Sequence, residues 1–253
     1  MPDPAETTGA RAIAAAWTPQ RPGRRAARDI PEAIVEPDWG GARVAAALTV
    51  RDAALYTHGG ELPLTEELRQ ALIDAFRAVE AVVEGHVTTE ALRTGEGAFP
   101  TGMKVERPPI IVPRAITSSV RDDPYVHARD FEAAAQKAEP DVAEALERGE
   151  RHAFVATDLL WLDGESLLDV PLLERKRHLE AVLDESFLVR VSAYVRPSAV
   201  LTLVAWGTLG FRDLSWRSAN SHYLPDEVND DWAVARAPQA PTGPSKSPTA
   251  PAK

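Results

Sequence analysis

Residues Ala153–Leu183, AFVATDLLWLDGESLLDVPLLERKRHLEAVL, decide how this chain is read. HAFVATDLLWL (152–162) is the most hydrophobic strand candidate in the sequence. Asp163-Gly164 supplies a turn, and Leu172 or Leu173 opens a helix running to about Asp184. Working outward, AIVEP (33–37) and RVAAALTVR (43–51) read as strands, and AALYTH (53–58) as a third, closed by Gly59-Gly60. Thr65, Glu66 and Glu67 open a helix to about Val79, with Leu68, Leu72, Ala75 and Phe76 on one face. EAVVEGHV (80–87) is a strand, and residues 90–125 are loop-rich around the strand candidate PPIIVP (108–113). Residues 129–149 read as helical, with Pro140 breaking the helix in two. FLVRVSAYV (187–195) reads as a strand, Pro197–Trp206 as a helix, and FRDLSWRS (211–218) and WAVAR (232–236) as closing strands. The sum is an α+β chain of mixed or antiparallel sheets flanked by helices.

Both ends differ from this body. Residues 1–30 are rich in Arg, Pro and Ala and read as a disordered segment, with room for a short helix around Ala10–Trp17. RPGRRAAR (21–28) reads as a solvated tail rather than an interaction site. Residues 237–253 form a Pro/Ala/Ser tail that cannot build a core. The body is therefore 31–236. The chain carries a formal charge of −10, yet each end is slightly basic, so the body alone is near −14. Such a body repels a phosphate backbone, which disfavours direct duplex DNA binding. There are no cysteines, which excludes disulfides, thiolate metal sites and cysteine nucleophiles. No run approaches the roughly 20 apolar residues of a membrane span. The first residues carry no signal-peptide pattern, so the expected location is cytoplasmic.

The Ala153–Leu183 block resembles the central strand and following helix of the ATP-dependent DNA ligase adenylation domain, where a segment of the type "xAFDLLWLDGxxLxxxPLxERRxxLE" recurs. WRSANSHYLPDEVNDDWAVAR (216–236) resembles the ending "xKxxxSxYxPGxxxxDWxKxK" of the same domain. Two matches in the right order and spacing carry a resemblance over about 31–236. It implies the fold of a ligase-type nucleotidyltransferase (adenylation) domain, without the C-terminal OB domain, since seventeen residues follow Arg236.

The resemblance also supplies positions at which to look for chemistry. Ligases of this family attach AMP to the lysine of "EPKxDGxR", because a neutral amine attacks the α-phosphate. The matching stretch here is Glu36-Pro37-Asp38-Trp39-Gly40-Gly41-Ala42-Arg43, with Asp38 at the lysine position. Thr57-His58-Gly59-Gly60 matches "SRNG" and lacks its arginine, while Glu84-Gly85-His86 matches the "DGE" strand ending. Arg212-Asp213-Leu214-Ser215-Trp216-Arg217 matches "EGxVxK", and "WxKxK" becomes Trp232-Ala233-Val234-Ala235-Arg236. Of the five lysines, 104, 137, 176, 246 and 253, none falls at a motif position, and Lys176 reads as a solvated helix charge.

ATP and magnesium are the cofactors the resemblance implies. Arg43, His86, Arg212, Arg217 and Arg236 are the pocket positions that would face the nucleotide. Metal-assisted nucleotidyl transfer needs carboxylates for the metal and cations for the phosphates. This set places an aspartate at the phosphate end and an arginine at the metal end. The resemblance would bring Asp38 near His86, where a hydrogen bond to the carboxylate would raise the imidazole pKa; the reading preferred over this is that no specific bond joins them. Asp38, His58 and His86, with His222, are the residue types of a transition-metal set, but the preferred reading is that these histidines are scattered surface or hydrogen-bonded residues and no metal is held. Trp39 and Trp216 are candidates for an apolar surface near the pocket or for plain core packing. The expected function is a catalytically degenerate adenylation-domain homologue with no catalytic residue, acting as a binding or scaffolding module for a DNA repair protein or an intact ligase. The alternatives are a divergent but active ligase or nucleotidyltransferase, or an unrelated use of a stable fold.

Overall fold

The structure is a computed structural model that describes residues 9–93 and 138–238. In chain order, α1 (Gly9–Ala15) leads through β1 (Arg21–Pro22) and a 3-10 turn at Ala27–Asp29 to β2 (Ala33–Pro37). A meander of β3 (Ala42–Thr49), β4 (Ala53–Thr57) and β5 (Gly60–Leu62) precedes α2 (Glu66–Ala75), β6 (Glu80–Thr88) and α3 (Glu90–Arg93). The second described segment opens in α4 (138–147). It continues with β7 (Ala153–Leu162), β8 (Glu165–Ser166), α5 (Leu172–Val182) and β9 (Val189–Val191). Last come α6 (Val200–Thr208), β10 (Asp213–Ser218), β11 (Val228–Asn229) and β12 (Trp232–Arg236).

The larger sheet runs β5-β4-β3-β6-β7-β8, with β9 added parallel to β7 and every other pairing antiparallel. A smaller antiparallel sheet runs β12-β10-β2. The expected α+β architecture of mixed and antiparallel sheets flanked by helices is present. No helix among the described residues is long and apolar enough to cross a membrane.

The strand pattern explains the layering. Val44, Ala46 and Leu48 of β3 face one core with Leu55, Leu68, Leu72 and Phe154. Ala45 and Ala47 face the other side, where their small size admits Ala10, Ala14 and Trp17 of the N-terminal arm. Thr65 caps α2 by accepting a hydrogen bond from the Leu68 amide at 3.3 Å. The β7–β8 hairpin turns at Asp163 and Gly164, both with positive φ. Asp163 Oδ1 also accepts from the amides of Val79 and Glu80 at 3.0 and 2.9 Å, tying this turn to the start of β6. Gly41 has φ +92°, and a Cβ there would lie 2.2 Å from the Val87 carbonyl oxygen, so only glycine lets the chain pass between β2 and β3.

Several expectations need correction. The helix read to Val79 ends at Ala75, where Phe76 turns extended to bridge Leu183. The strand read over 187–195 pairs only at Val189–Val191, after which the chain leaves β7 and Val195 bridges Val35. Pro140 is the third described residue of the helix 138–147, so a break ahead of it falls outside the described residues. Residues 129–137 and the PPIIVP strand candidate lie outside the described residues.

The largest correction concerns the N-terminal arm. Residues 9–30 belong to the folded body: α1 packs on the sheet, Trp17 is buried, and its Nε1 donates to Tyr223 Oη at 2.9 Å. β1 pairs in parallel with β11. The arginines read as solvated are partnered as well, Arg21 with the Asp226 carbonyl at 2.7 Å and Arg25 with Asp231 at 2.9 Å. Composition missed this because alanines and a single tryptophan suffice to anchor an arm against an alanine-rich strand. Trp17→Ala should therefore lower unfolding free energy by about 3–5 kcal/mol, read from urea denaturation, where a true tail residue would change nothing.

Candidate functional site

The site lies where the two sheets meet. β2 supplies Glu36 and Pro37 and runs into Asp38 and Trp39; β3 supplies Arg43, β6 Glu84 and His86, and β7 Thr157. Ser215 and Arg217 of β10 and Trp232 of β12 complete the lining. The cavity, open toward the surface, has a volume of about 30 Å³. At roughly 10–15 Å³ per water, that holds about two waters.

Beneath the cavity is a buried ionic network. Lys176 Nζ of α5 donates to Glu36 Oε2 at 2.5 Å and to the Thr157 carbonyl at 2.8 Å. Arg217 donates to Asp158 Oδ2 at 2.5 Å and lies 3.7 Å from Glu36 Oε1. Arg175 grips both oxygens of Asp158, at 2.8 and 2.9 Å. Burial alone would raise the Asp158 carboxyl, but Arg175, Arg217 and Lys176 outweigh it and hold the group well below the usual carboxylate range.

The wall toward the N-terminal arm is a stack. The Arg43 guanidinium sits 5.0 Å from the Trp232 ring and 5.9 Å from Trp17, and Arg217 lies 5.6 Å from Trp232. Arg43 donates to Glu84 Oε1 at 2.5 Å and to the Gln20 carbonyl at 2.8 Å. Trp232 Nε1 donates to Ser215 Oγ at 2.6 Å. Each cation of the lining already faces a carboxylate. Three acids (Glu36, Asp38, Glu84) line the cavity against two arginines, Arg43 and Arg217.

Burial pushes the Asp38 carboxyl up to about 7, helped by Asp213 and Glu90 and only partly offset by Arg43. Burial pushes the His86 imidazole down to about 3, with Arg43 adding to the shift. The Asp38–His86 bond, the lesser of the two sequence readings, is not made. Among the described residues no hydrogen bond joins them, His86 Nδ1 is buried without a partner, and the imidazole shifts downward rather than upward. Desolvation and a neighbouring guanidinium decide its state. The speculative metal set does not assemble either. His58 sits in the β4–β5 turn beside Glu139, and no three His, Asp or Glu side chains among the described residues are grouped to hold a metal ion.

No family model and no curated protein matches the sequence. Solved structures do. The crystal structure of the ligase domain from M. tuberculosis LigD superposes with a TM-score of 0.52 at 16% identity, covering 87% of this chain and 59% of that one. A mycobacterial DNA ligase D complexed with ATP and MES gives a TM-score of 0.52 at 17% identity, covering 87% and 60%. The fold is that of a DNA ligase adenylation domain. The chain spans about six-tenths of the length of those ligase chains.

Within this adenylation fold the expected positions divide. Arg43, His86 and Arg217 converge on the cavity with Asp38. Arg212 and Arg236 do not line it; both flank Asp213 at 3.4 Å, and the Arg212 side chain is 70% exposed. Trp39 lines the cavity as a core residue, its Nε1 donating to Ser192 Oγ at 3.0 Å and its ring edge-on to Phe211. Trp216 is half-buried outside the lining. Lys176, read as solvated, is fully buried. The signal for it was present: Leu172, Arg175, Lys176 and Leu179 stand at i, i+3, i+4 and i+7, and all four form the buried face of α5.

Two tests follow from this geometry. Lys176→Met should cost about 3–5 kcal/mol of stability, because Glu36 is left buried without its amine, and adding Glu36→Gln should return part of the loss in the same denaturation assay. The Asp38 pKa of about 7 lies above its unfolded value of 3.8, so its stabilising contribution is full at low pH and lost as pH rises through 7. His86 has the opposite sign: its contribution is present above its unfolded value of 6.5 and lost as pH falls toward 3. Asp38→Asn should stabilise the protein by on the order of 1–2 kcal/mol at pH 8, with the gain shrinking toward pH 5. Denaturation midpoints across that range check both slopes.

Proposed function

We propose that this chain is a catalytically degenerate homologue of the ligase adenylation domain that works as a binding or scaffolding module in a DNA repair or ligation setting. The observation that carries this is the cavity. A ligand pocket for a small molecule encloses roughly 300–1,000 Å³, and this one holds about 30 Å³. The similar ligase D structure contains ATP. Here Trp232 packs against Arg43 and Arg217 in the cavity wall, and both arginines are answered by carboxylates from within the protein.

The chemistry of the wall supports the same reading. Asp38 stands where the resembling ligases carry their lysine nucleophile, with Asp213, Glu90 and Glu36 adding negative potential around it. Ionised or neutral, a carboxyl group there supplies no amine to attack an α-phosphate, and the acids around it repel a triphosphate. Lys176 is the one lysine among the described residues, and it does not line the cavity. Its amine is committed to Glu36 and the Thr157 carbonyl, so it is no free nucleophile. The partner proposed is a protein, a repair enzyme or an intact ligase, because a chain of net charge −10 disfavours direct contact with duplex DNA.

The test is incubation with α-labelled ATP and magnesium, followed by denaturing electrophoresis and a thermal-shift titration with ATP. The expected result is no label on the polypeptide and no shift in melting temperature. Label that survives denaturation overturns the proposal, and mapping it identifies the nucleophile.

A further inference from the structure

From Pro197 to Phe211 the chain carries no charged residue, and an arginine stands at each end, Arg196 and Arg212. α6 lies within this run. Leu203 and Trp206 bury one side of it against Val155, Phe211 and Leu214. The opposite side is open: Leu201 is 67% exposed, Leu209 is 46% exposed, and Ala205 between them is exposed too. Positions 201, 205 and 209 are spaced four apart, so they form one ridge along the helix. Helical surfaces of soluble proteins ordinarily place polar or charged residues there. Among the described residues, the core clusters include none of these three positions.

We infer that this ridge is a docking surface for an amphipathic helix of a partner protein, one whose apolar stripe is flanked by acidic residues. Charge decides among occupants. Arg196 is exposed, and Arg212 is 70% exposed; with Asp213 shared between Arg212 and Arg236, both ends of the ridge are basic on a chain of net −10. A second copy of this chain fits badly. Packed antiparallel, Arg196 of one copy meets Arg212 of the other; packed parallel, like residues meet, and both arrangements oppose cations. An anionic membrane surface is repelled by the net charge of the whole molecule. An acidic-ended helix satisfies the apolar stripe and both arginines together, in the helix-in-groove mode. α6 has nine residues, about 14 Å at ~1.5 Å per residue, so it matches two to three turns of a partner helix.

This surface is separate from the cavity, so its test is independent of the proposed loss of catalysis. A displayed library of randomised 16-residue peptides is selected on the full chain and counter-selected on Leu201→Asp/Leu209→Asp, both exposed positions whose replacement leaves the core intact. Circular dichroism of the double variant confirms that it folds. The selected peptides are expected to carry an apolar stripe at helical spacing with Asp or Glu beside it. Their affinity should fall at least about tenfold on the double variant, and severalfold on Arg196→Gln/Arg212→Glu. Selection of no helical peptide, selection of basic ones, or equal affinity for wild type and double variant overturns the inference. So does self-association in sedimentation velocity, or co-sedimentation with phosphatidylglycerol vesicles, that the double variant abolishes; these would assign the ridge to a second copy or to a membrane.

Discussion

Two buried carboxylates, Glu36 and Asp158, tie the three-stranded sheet to the larger one. Glu36 comes from β2 of the small sheet and Asp158 from β7 of the large one. Arg217 of β10 reaches both, while α5 sends Arg175 to Asp158 and Lys176 to Glu36. Ionised groups without solvent are costly, and that cost is offset only when the partners sit in good hydrogen-bonding geometry. A guanidinium is planar and rigid, so the grip of Arg175 on both oxygens of Asp158 fixes orientation as well as distance. The docking of α5 and the meeting of the two sheets are thus one constraint.

That constraint shapes the cavity above it. Cations that would face an anionic ligand are turned toward internal acids, and Trp232 fills the space between two of them. The remaining titratable groups respond to dehydration rather than to each other. Asp38 and His86 are both driven toward their neutral forms, by burial first and by like charges second. The interior keeps charge where partners are built in and suppresses it elsewhere.

Much of this architecture was legible beforehand. AIVEP is β2 to the residue, and Thr65 marked the start of α2, because caps and short apolar runs are local signals. The paired motifs at 153–183 and 216–236 pointed to the fold, and Asp38, Arg43, His86 and Arg217 line one cavity. What failed depended on contacts far apart in sequence. Lys176 looked solvated because lysine usually is, although its place on the buried face of α5 argued otherwise. The arm at 9–30 looked unstructured because its partners lie in β3, β4 and β6 and, for Trp17 and Gln20, also in the closing segment. The Asp38–His86 pairing failed because adjacency in a pocket does not make a hydrogen bond, and Arg43 lies closer in effect to the imidazole than any acid does.

The union of that arm with the closing hairpin bears on how the chain is made. Trp17 meets Tyr223, Gln20 meets Asn229, and β1 pairs with β11 across more than two hundred residues. A ribosome releases the arm long before its partners exist. During synthesis the face formed by Ala45, Ala47 and Ala54 therefore has α1 but lacks Tyr223, and the arm's backbone donors stay hydrated until the last strands emerge. Closing so large a loop is slow, and the nascent protein passes through a state whose greasy seam is open to chaperones.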